Sequence, residues 1–353
     1  MISKNETVGV GVVGAGFIGQ LAHIANYAVL ENSRIVALAE LRPKLRELVA
    51  QRYGINRTYA THHELLEDPE VKAVVVVTAR HNTGPIALDC LKAGKHLITE
   101  KPIAATLEQS QRLVNAARNK DIYYAVGYMR RYDEGVEKAK SIIDELKVTG
   151  ELGPIIFARA HCFGGEDYCN IDGYLKTDEK VSGNLPSWSI APDWLPQQYH
   201  QDYAWFLNVY SHNINLLRYL LGETPSVDFV RLDKKNGRVA VLDFDHHVAV
   251  LEAGNFSYHS WDEVTEIYFA HGRLKIETPP ALLKNVSASI ELYKGTSHST
   301  HIYQSGWTWA FRRQAEDFIK CIKGGQIPVT SGDDCLEDMR LIEEMWKMEI
   351  SRK

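Results

Sequence analysis

The sequence predicts an α/β fold that opens with a doubly wound parallel sheet. Residues 8–13 (VGVGVV) form the uncharged, β-branched run that a strand buried on both faces requires. Three glycines with the spacing G-x-G-x-x-G follow directly, and a segment with helical periodicity comes after them. Strand-like and helix-like segments then alternate as far as about residue 127, which is the pattern of a parallel sheet covered by helices on both faces.

The glycine motif GAGFIG is typical of a turn that binds a dinucleotide. Gly14 allows the tight strand-to-helix turn, Gly16 lets a pyrophosphate approach bare backbone, and Gly19 lets the helix pack closely on the strand. The free N–H groups at the positive end of the helix then bind the anion. We expect Phe17 and Ile18, which lie between these glycines, to contact the cofactor as well.

An acidic residue ends the second predicted strand, residues 34–39 (RIVALA). The position of Glu40 suits a carboxylate that accepts hydrogen bonds from the hydroxyls of the adenosine ribose. Arg42 either stacks on the adenine, reaches toward a 2′-phosphate or begins a solvated helix. Because Glu40 would repel a 2′-phosphate, the sequence favours NAD as the cofactor over NADP.

Three further strands are predicted at residues 71–78, 96–99 and 122–126. Pro85 is expected in the first turn of the helix that follows the first of them. The carboxyl ends of parallel strands meet at the ligand-binding edge of a doubly wound sheet, so residues at those ends are expected to contact the cofactor. The residues in these positions are Thr78, Ala79, His81, Glu100 and Lys101. Lys101, next to Pro102, is also predicted to point toward the nicotinamide end of the dinucleotide.

Composition places the chain among globular proteins with two domains. It has 353 residues, of which 45 % are hydrophobic and 24 % charged. The net charge of −5 and the lack of basic runs give no indication of nucleic-acid binding. No apolar stretch approaches the roughly 20 residues that cross a bilayer, and the N-terminus leads straight into a predicted strand, so we expect no membrane segment and no signal peptide.

The cysteines and histidines predict neither disulfides nor a metal site. The five cysteines show no C-x-x-C spacing, which favours reduced thiols and a cytoplasmic location. His246 and His247 are neighbours in a predicted strand, as are His161 and Cys162, and neighbours in a strand face opposite ways.

Several motifs resemble those of the Gfo/Idh/MocA family of NAD(P)-dependent oxidoreductases. They are the glycine turn, Glu40, AGKHLITEKP ending at Pro102, VGYMRRYD at 126–133 and HNINLLRYLLGE at 212–223. The resemblance covers most of the chain except about residues 164–206. It implies a Rossmann domain over residues 1–127, hydride transfer as the chemistry, and a cofactor contact from Arg130.

The resemblance also implies a second, α+β domain over residues 128–334 with an open, largely antiparallel sheet. The sequence agrees with this, because an amphipathic helix at 133–149 precedes a series of short strand-like segments. These segments are 155–162, 227–232, 240–242, 248–252, 255–258, 266–270 and 274–276. The final helix, 335–353, is expected to pack back on the first domain. In the family the free face of such a sheet pairs with another subunit, which implies a homodimer or homotetramer.

Residues 163–203 differ from the strands around them. This stretch is rich in Gly, Pro, Asp and Asn and carries irregularly spaced tyrosines and tryptophans. Long irregular segments in compact domains are usually functional or disordered, and the aromatic density argues against disorder. Tyr168 and Trp194, and Tyr303 farther along, are therefore candidate contacts for a sugar-like substrate. The alternative is a loop folded over its own hydrophobic cluster.

Asn208 and His212 lie four residues apart in a predicted helix, residues 203–221, and therefore on one face. The family pattern here is Asp-x-x-x-His, so the resemblance implies that His212 faces the nicotinamide. Asn208 replaces the acid and is a candidate substrate contact. An amide oxygen can orient an imidazole but cannot stabilise its protonated form. Without the resemblance, a histidine in a helix is more often structural.

The resulting hypothesis is an NAD(P)-dependent oxidoreductase that acts on a CH–OH group of a sugar, cyclitol or sugar derivative. His212 is the candidate base for the hydroxyl proton, and the Lys101 ammonium would stabilise alkoxide character on the same oxygen. Because the acid is missing, an exchange or sharing of these roles stays open. Two alternatives are a redox-neutral lyase or glycosidase with tightly bound NAD, and a non-enzymatic dinucleotide-sensing regulator on the same fold.

Overall fold

A computed structural model describes residues 6–120, 122–166, 171–181, 185–234 and 236–352. The chain divides into two compact units. The first comprises Met1–Tyr128, Asp172–Pro192 and Phe311–Leu336, and the second comprises Met129–Ile171, Asp193–Ala310 and Glu337–Lys353. The first segment of the first unit ends at Tyr128, next to the domain boundary expected after residue 127. The assignment of residues 172–192 to the first unit differs from the sequence-based expectation, which placed them in the second domain.

The first unit contains a six-stranded, fully parallel sheet. Its strands are β1 (Val8–Val13), β2 (Ser33–Ala39), β3 (Arg57–Tyr59), β4 (Ala73–Val76), β5 (His96–Thr99) and β6 (Tyr124–Val126). Their order is β3-β2-β1-β4-β5-β6, so the direction of winding reverses between β1 and β4. The predicted doubly wound parallel sheet is therefore confirmed. Every residue of β1 is buried, as its uncharged run requires.

Helices connect these strands. A π-helical turn (Gly19–Ile24) leads into α1 (Ala25–Tyr27), and the others are α2 (Pro43–Tyr53), α3 (His62–Glu67), α4 (Arg80–Lys92) and α5 (Leu107–Arg118). Helix α2 ends at Gly54, whose φ of +65° is the left-handed conformation that glycine adopts without strain.

Two elements of this unit differ from the sequence-based expectation. Strand β3 was not predicted, because its three residues (RTY) form too short a run to show a pattern. Helix α4 begins at Arg80, so Pro85 lies inside the helix and not in its first turn. Proline has no N–H and cannot bond the carbonyl four residues earlier, that of His81. That carbonyl instead accepts the N–H of Trp188 at 2.8 Å.

The second unit contains an eight-stranded sheet. Its strands are β7 (Ile155–Gly164), β8 (Ser226–Arg231), β9 (Gly237–Asp243), β10 (Val248–Asn255), β11 (Trp261–Phe269), β12 (Gly272–Glu277), β13 (Ser289–Lys294) and β14 (Ser299–Tyr303). Their order is β14-β13-β12-β11-β7-β10-β9-β8. Among these strands β7 and β10 pair in parallel, and the other neighbouring pairs are antiparallel. The predicted largely antiparallel sheet is confirmed.

The helices of the second unit are α6 (Glu134–Thr149) and α7 (His200–Leu221), with short 3-10 turns at Met129–Tyr132 and Gln197–Tyr199. The strand expected at 255–258 is not formed, since β10 runs on to Asn255 and ends there. Strands β13 and β14 were not predicted. Both are short and partly exposed, so neither carries a strong apolar run.

Two helices end the chain, α8 (Ala310–Gly324) and α9 (Gly332–Ser351). Helix α8 packs Phe318 and Ile319 into the core beneath the parallel sheet. The start of α9 belongs to the first unit and the helix from Glu337 onward to the second, and the expectation that residues 335–353 pack back on the first domain stays a prediction. Its buried Asp338 binds Asn215 and Arg218 of α7, both at 2.6 Å. No helix in the described part of the chain is both long and apolar enough to span a membrane.

Candidate active site

A cavity of about 900 Å³ opens in the first unit, at the carboxyl ends of β1, β2 and β4. This is the point where the winding of the sheet reverses, and doubly wound sheets bind ligands there. Ten of the residues predicted to contact the cofactor line it. They are Gly14, Gly16, Phe17, Ile18, Gly19, Glu40, Arg42, Thr78, Ala79 and His81.

The three glycines of the turn have different surroundings. A Cβ on Gly14, whose φ is +96°, would lie 2.2 Å from the carbonyl oxygen of Val77, and one on Gly19 would lie 2.8 Å from that of Gly14. A Cβ on Gly16 would meet no protein atom within 4 Å. The first and third glycines therefore serve close backbone packing, and Gly16 faces open space. This arrangement fits a pyrophosphate that approaches the bare backbone at Gly16.

Glu40 ends β2 and is almost fully buried, with 6 % of its surface exposed. Its carboxylate accepts the backbone N–H of Ala15 at 2.9 Å and that of Arg42 at 3.1 Å. The Arg42 guanidinium donates to both carboxylate oxygens, at 2.8 and 3.0 Å. Burial alone would raise the pKa of Glu40, but these hydrogen bonds and the Arg42 charge outweigh it and hold the pKa below its ordinary value. The site therefore holds an ionised carboxylate.

The opposite wall of the cavity was not found from the sequence. It includes Val181, Leu185, Pro186 and Ser187, which belong to the irregular segment that was expected to serve the substrate. Further lining residues that sequence reasoning missed follow β3 or lie in α4. They are Ala60, Thr61, His62, His63, Asn82 and Ile86. The four residues from 60 to 63 follow β3, the one strand of the parallel sheet that was not predicted, and a correct assignment of β3 would have indicated them.

Glu100 and Lys101 follow β5, the neighbour of β4 in the sheet. Neither is among the described residues that line the cavity. The Glu100 carboxylate bonds Nε2 of the buried His23 at 2.7 Å and accepts the backbone N–H of Lys101 at 3.2 Å. Glu100 therefore fixes the backbone from which the Lys101 side chain extends.

Arg130 lies in the second unit and is not among the described residues that line the cavity, so its cofactor contact stays a prediction. Its guanidinium forms a buried ion pair with Glu263 and donates to the carbonyl oxygen of Pro279 at 2.6 Å. Only 4 % of its surface is exposed. A buried guanidinium needs such partners, and here the core of the second unit supplies them.

His212 and Asn208 both lie on α7, where His212 is half-buried and Asn208 is exposed. Two neighbouring residues of the helix make buried polar contacts: Asn213 donates to Glu263 at 3.2 Å and Asn215 accepts from Arg131 at 2.7 Å. These contacts hold α7 within the second unit.

The remaining predicted substrate contacts lie in different places in the second unit. The indole N–H of Trp194 donates to Glu343 of α9 at 3.3 Å, and the ring of Tyr303 lies 5.5 Å from the Lys138 ammonium of α6. Tyr168 lies outside the described residues. Their role as substrate contacts stays a prediction.

One grouping of potential metal ligands occurs in the described part of the chain: His62, His63 and Asp89, whose ligand atoms lie within 4.8 Å of one another. Nε2 of the buried His62 is already hydrogen-bonded to Asp89 at 3.1 Å. Burial lowers the pKa of His62 more than the contact with Asp89 raises it. The sequence-based prediction of no metal site stays a prediction.

Comparisons with known proteins agree on the type of protein. Residues 8–128 match the model of the Gfo/Idh/MocA oxidoreductase family, NAD-binding Rossmann fold. A myo-inositol 2-dehydrogenase of Thermotoga maritima is 24 % identical over 340 residues, which are 92 % of this chain and 91 % of the relative. A scyllo-inositol 2-dehydrogenase (NAD(+)) of Bacillus subtilis is 25 % identical over 92 % of this chain and 88 % of its own. The solved structure of a levoglucosan dehydrogenase in complex with NADH and levoglucosan superposes with a TM-score of 0.78, at 19 % identity, over 99 % of this chain and 98 % of that one.

Proposed function

We propose that this chain transfers hydride between a nicotinamide dinucleotide and a secondary alcohol or ketone of a sugar, cyclitol or sugar derivative. Through residues 8–128 it belongs to the Gfo/Idh/MocA oxidoreductase family. The resemblance predicted from the sequence is confirmed by the family match. The observation that carries the proposal is the cavity where the glycine turn and the ionised Glu40 share one wall. The inositol and levoglucosan dehydrogenases among the relatives support the class of substrate.

The proposed cofactor is NAD. Glu40 is ionised at neutral pH, and an anion at the ribose end of the cavity repels a 2′-phosphate. Arg42 is the residue that would have to accept that phosphate, but its guanidinium is already paired with Glu40 through two hydrogen bonds. Titrations of the nicotinamide fluorescence with NADH and with NADPH test this. We expect tighter binding of NADH, and a clear preference for NADPH would contradict the assignment.

Lys101 and His212 are the proposed catalytic residues. The cofactor supplies the hydride acceptor or donor, and the chain has to bind the substrate and to handle one proton. In the oxidative direction His212 accepts the hydroxyl proton, and the Lys101 ammonium stabilises the negative charge that develops on the oxygen. Asn208 can orient the imidazole but cannot stabilise a positive charge on it. Lys101 and His212 therefore share the handling of the hydroxyl proton more evenly than they would with an acid in place of Asn208.

The variants Lys101→Ala and His212→Ala test these roles. Each is expected to lower kcat by roughly 100-fold or more, because a positioned proton acceptor or charge partner contributes about that factor. Affinity for NADH should change by no more than a few-fold. The matched controls are Lys92→Ala, at an exposed position of α4, and His246→Ala, at an exposed position of the second unit. Near-normal kcat in either catalytic variant, with myo-inositol, scyllo-inositol or levoglucosan as substrate, would remove that residue from the mechanism.

The substrate contacts proposed from the sequence are Asn208, Trp194 and Tyr303. Asn208 is exposed and Trp194 is 37 % exposed, so both have polar or aromatic surface available. Substitution of Asn208 by Ala should raise KM for the sugar more than it lowers kcat, since an exposed amide binds the ground state and the transition state alike. An unchanged KM would place the substrate elsewhere.

The second unit is proposed to form a homodimer or homotetramer through one face of its sheet. The register places Phe229, Val248, Tyr293 and Ile302 on the same face, and each is between 37 and 69 % exposed. Exposed large apolar side chains on one face of a sheet support association through that face. Sedimentation should give a dimer or tetramer for the wild type and a smaller species for Val248→Glu, with Ile327→Glu of the first unit as the control. A monomeric wild type would contradict the proposal.

A cytoplasmic location is also proposed. The four described cysteines, Cys90, Cys162, Cys321 and Cys335, are free and buried, which suits a reducing compartment. A thiol titration of the unfolded, unreduced protein should find all five thiols of the chain free. A lower count would point to an oxidising compartment.

A further inference from the structure

We propose that Trp188 is a positioning residue of the dinucleotide cavity: it anchors residues 185–187, which form the far wall, and thereby sets how slowly the dinucleotide leaves. This inference rests on the proposed function, because it takes the cavity to be the cofactor site. Leu185, Pro186 and Ser187 line the same cavity as the glycine turn, and Trp188 follows them directly.

The backbone of Trp188 is hydrogen-bonded to α4 at a carbonyl group that a proline in the helix leaves unbonded. Pro85 cannot donate to the carbonyl of His81, so the helix leaves that oxygen without its usual partner. The N–H of Trp188 donates to this oxygen at 2.8 Å. His81 is itself a lining residue of the cavity, so this hydrogen bond joins the two walls directly.

The Trp188 ring lies against the same turn of α4. A Cβ on Gly84 would lie 2.3 Å from Cε3 of the ring, so only glycine leaves room for the indole here. The guanidinium of Arg112 in α5 lies 5.1 Å from the ring centroid, within the range of a cation–π contact. The ring therefore adds shape-specific packing to the backbone hydrogen bond.

The neighbours of Trp188 are fixed in the same way. The Asn82 side-chain amide donates to the carbonyl of Pro186 at 3.0 Å, and that of Gln109 donates to the carbonyl of Ser189 at 2.9 Å. Each of these bonds comes from a side chain of α4 or α5 to the backbone of the far wall. Together they hold the backbone of the far wall in place without using its side chains, which remain available to the cavity.

The other end of the segment docks beside the glycine turn. The buried amide of Gln20 accepts the N–H of Leu175 at 2.8 Å and donates to its carbonyl at 3.0 Å. The Tyr174 ring meets Phe17, a lining residue, edge-on at 4.9 Å between centroids. The described residues 174–175 and 186–189 are therefore both anchored to the first unit. Loosening the anchor at Trp188 would free residues 185–187 and let a dinucleotide in the cavity leave sooner.

Two single variants and their combination test this role. Trp188→Ala removes the ring, and Gly84→Ala adds a methyl group where the ring lies. We expect each to raise the rate constant of NADH release by about tenfold while the association rate constant changes little, since affinity within one site varies mostly through dissociation. The double variant should release NADH no faster than Trp188→Ala alone, because without the ring the methyl group added by Gly84→Ala has nothing to displace.

The measurement is stopped-flow fluorescence of NADH displaced by excess NAD, with thermal unfolding as a check of the fold. Gly324→Ala in α8 is the matched control, since its added Cβ would meet only side-chain atoms of Gln326, at 3.8 Å and beyond. Trp188→Phe keeps a flat ring and should restore slow release. If Trp188→Ala fails to fold, Gly84→Ala carries the test, since it displaces the ring without removing it.

The outcomes separate this inference from the proposed function. If Trp188→Ala and Gly84→Ala release NADH at the wild-type rate, the positioning role of Trp188 is overturned while the cofactor site stands. If the double variant shows the sum of the two single effects on release, the two residues act independently and the anchoring role of Trp188 is also contradicted. If the wild type binds neither NADH nor NADPH, the proposed function itself fails and the inference falls with it.

Discussion

The two walls of the cavity are held in different ways. One wall consists of the ends of β1, β2 and β4, where the glycine turn and Glu40 are fixed by the sheet and by buried hydrogen bonds. The other wall, Val181 and residues 185–187, follows β4 by about 100 residues and is held by a few anchors on α4 and α5. Val181 in this wall is 54 % exposed.

This difference suggests a division of tasks. A wall that belongs to the sheet cannot move without loss of the fold, so it determines whether a dinucleotide can bind at all. A wall that depends on a few side-chain anchors can move while the sheet stays intact, so it determines how long the dinucleotide remains. Substitutions in the first wall should therefore have large effects on folding or affinity, and those in the second should mainly change rates.

The largest effect is expected from Gly14→Ala. The added methyl group would lie 2.2 Å from the carbonyl oxygen of Val77, at a backbone φ of +96° that alanine rarely adopts. We expect a loss of about 3 kcal/mol or more in the free energy of unfolding of the first unit. Denaturant unfolding measures this, with Gly324→Ala as the control. An unchanged midpoint would show that the first wall is more adaptable than its packing indicates.

Gly16→Ala separates binding from folding within the same turn. Its methyl group meets no protein atom within 4 Å, so the stability of the domain should stay the same. The group would occupy the open space that suits the pyrophosphate, and we expect the Kd for NADH to rise by roughly 100-fold, which corresponds to about 2.7 kcal/mol. Fluorescence titration gives the affinity. Equal affinity in both proteins would mean that the pyrophosphate does not lie against Gly16.

Glu40→Gln should lower the free energy of unfolding by about 2 kcal/mol at pH 7, because it replaces a buried carboxylate that accepts charge-assisted hydrogen bonds. The folded pKa of Glu40 lies below its ordinary value of 4.5. Its contribution is therefore complete above about pH 4.5 and is lost as the pH falls through the folded pKa.

The difference between wild type and Glu40→Gln should consequently shrink below pH 4.5. Denaturant unfolding at a series of pH values measures it, with Glu108→Gln in the exposed first turn of α5 as the control. A difference that stays constant down to pH 3 would show that the charge of Glu40 is not what stabilises this wall.

The first wall could be predicted from the sequence because its residues follow buried strands at short, fixed distances. Gly14, Gly16 and Glu40 each come directly after a recognisable strand, and all three line the cavity. The buried ion pair of Arg130 could not be predicted in this way. The motif that contains this residue was recognised, but its buried partner Glu263 lies 133 residues away and leaves no local pattern.

The second wall could not be predicted, since its position depends on contacts between distant segments. The sequence shows Pro85 and Trp188 separately, and the former was expected in the first turn of a helix. Only the structure shows that the carbonyl which Pro85 cannot bond accepts the N–H of Trp188. In the same way, the aromatic composition of residues 163–203 indicated an ordered segment but did not show that its central part belongs to the cofactor unit.

The smallest effect is expected from Arg112→Ala. Its guanidinium contacts the Trp188 ring at an exposed position, where a cation–π contact contributes about 0.5 kcal/mol. NADH release should therefore become about twofold faster, with no change in the stability of the sheet. The control is Arg118→Ala in the same helix, whose partner is the exposed Asp333. A tenfold effect of Arg112→Ala would mean that the second wall depends mainly on the charge above the ring, and not on the fit of the ring against Gly84.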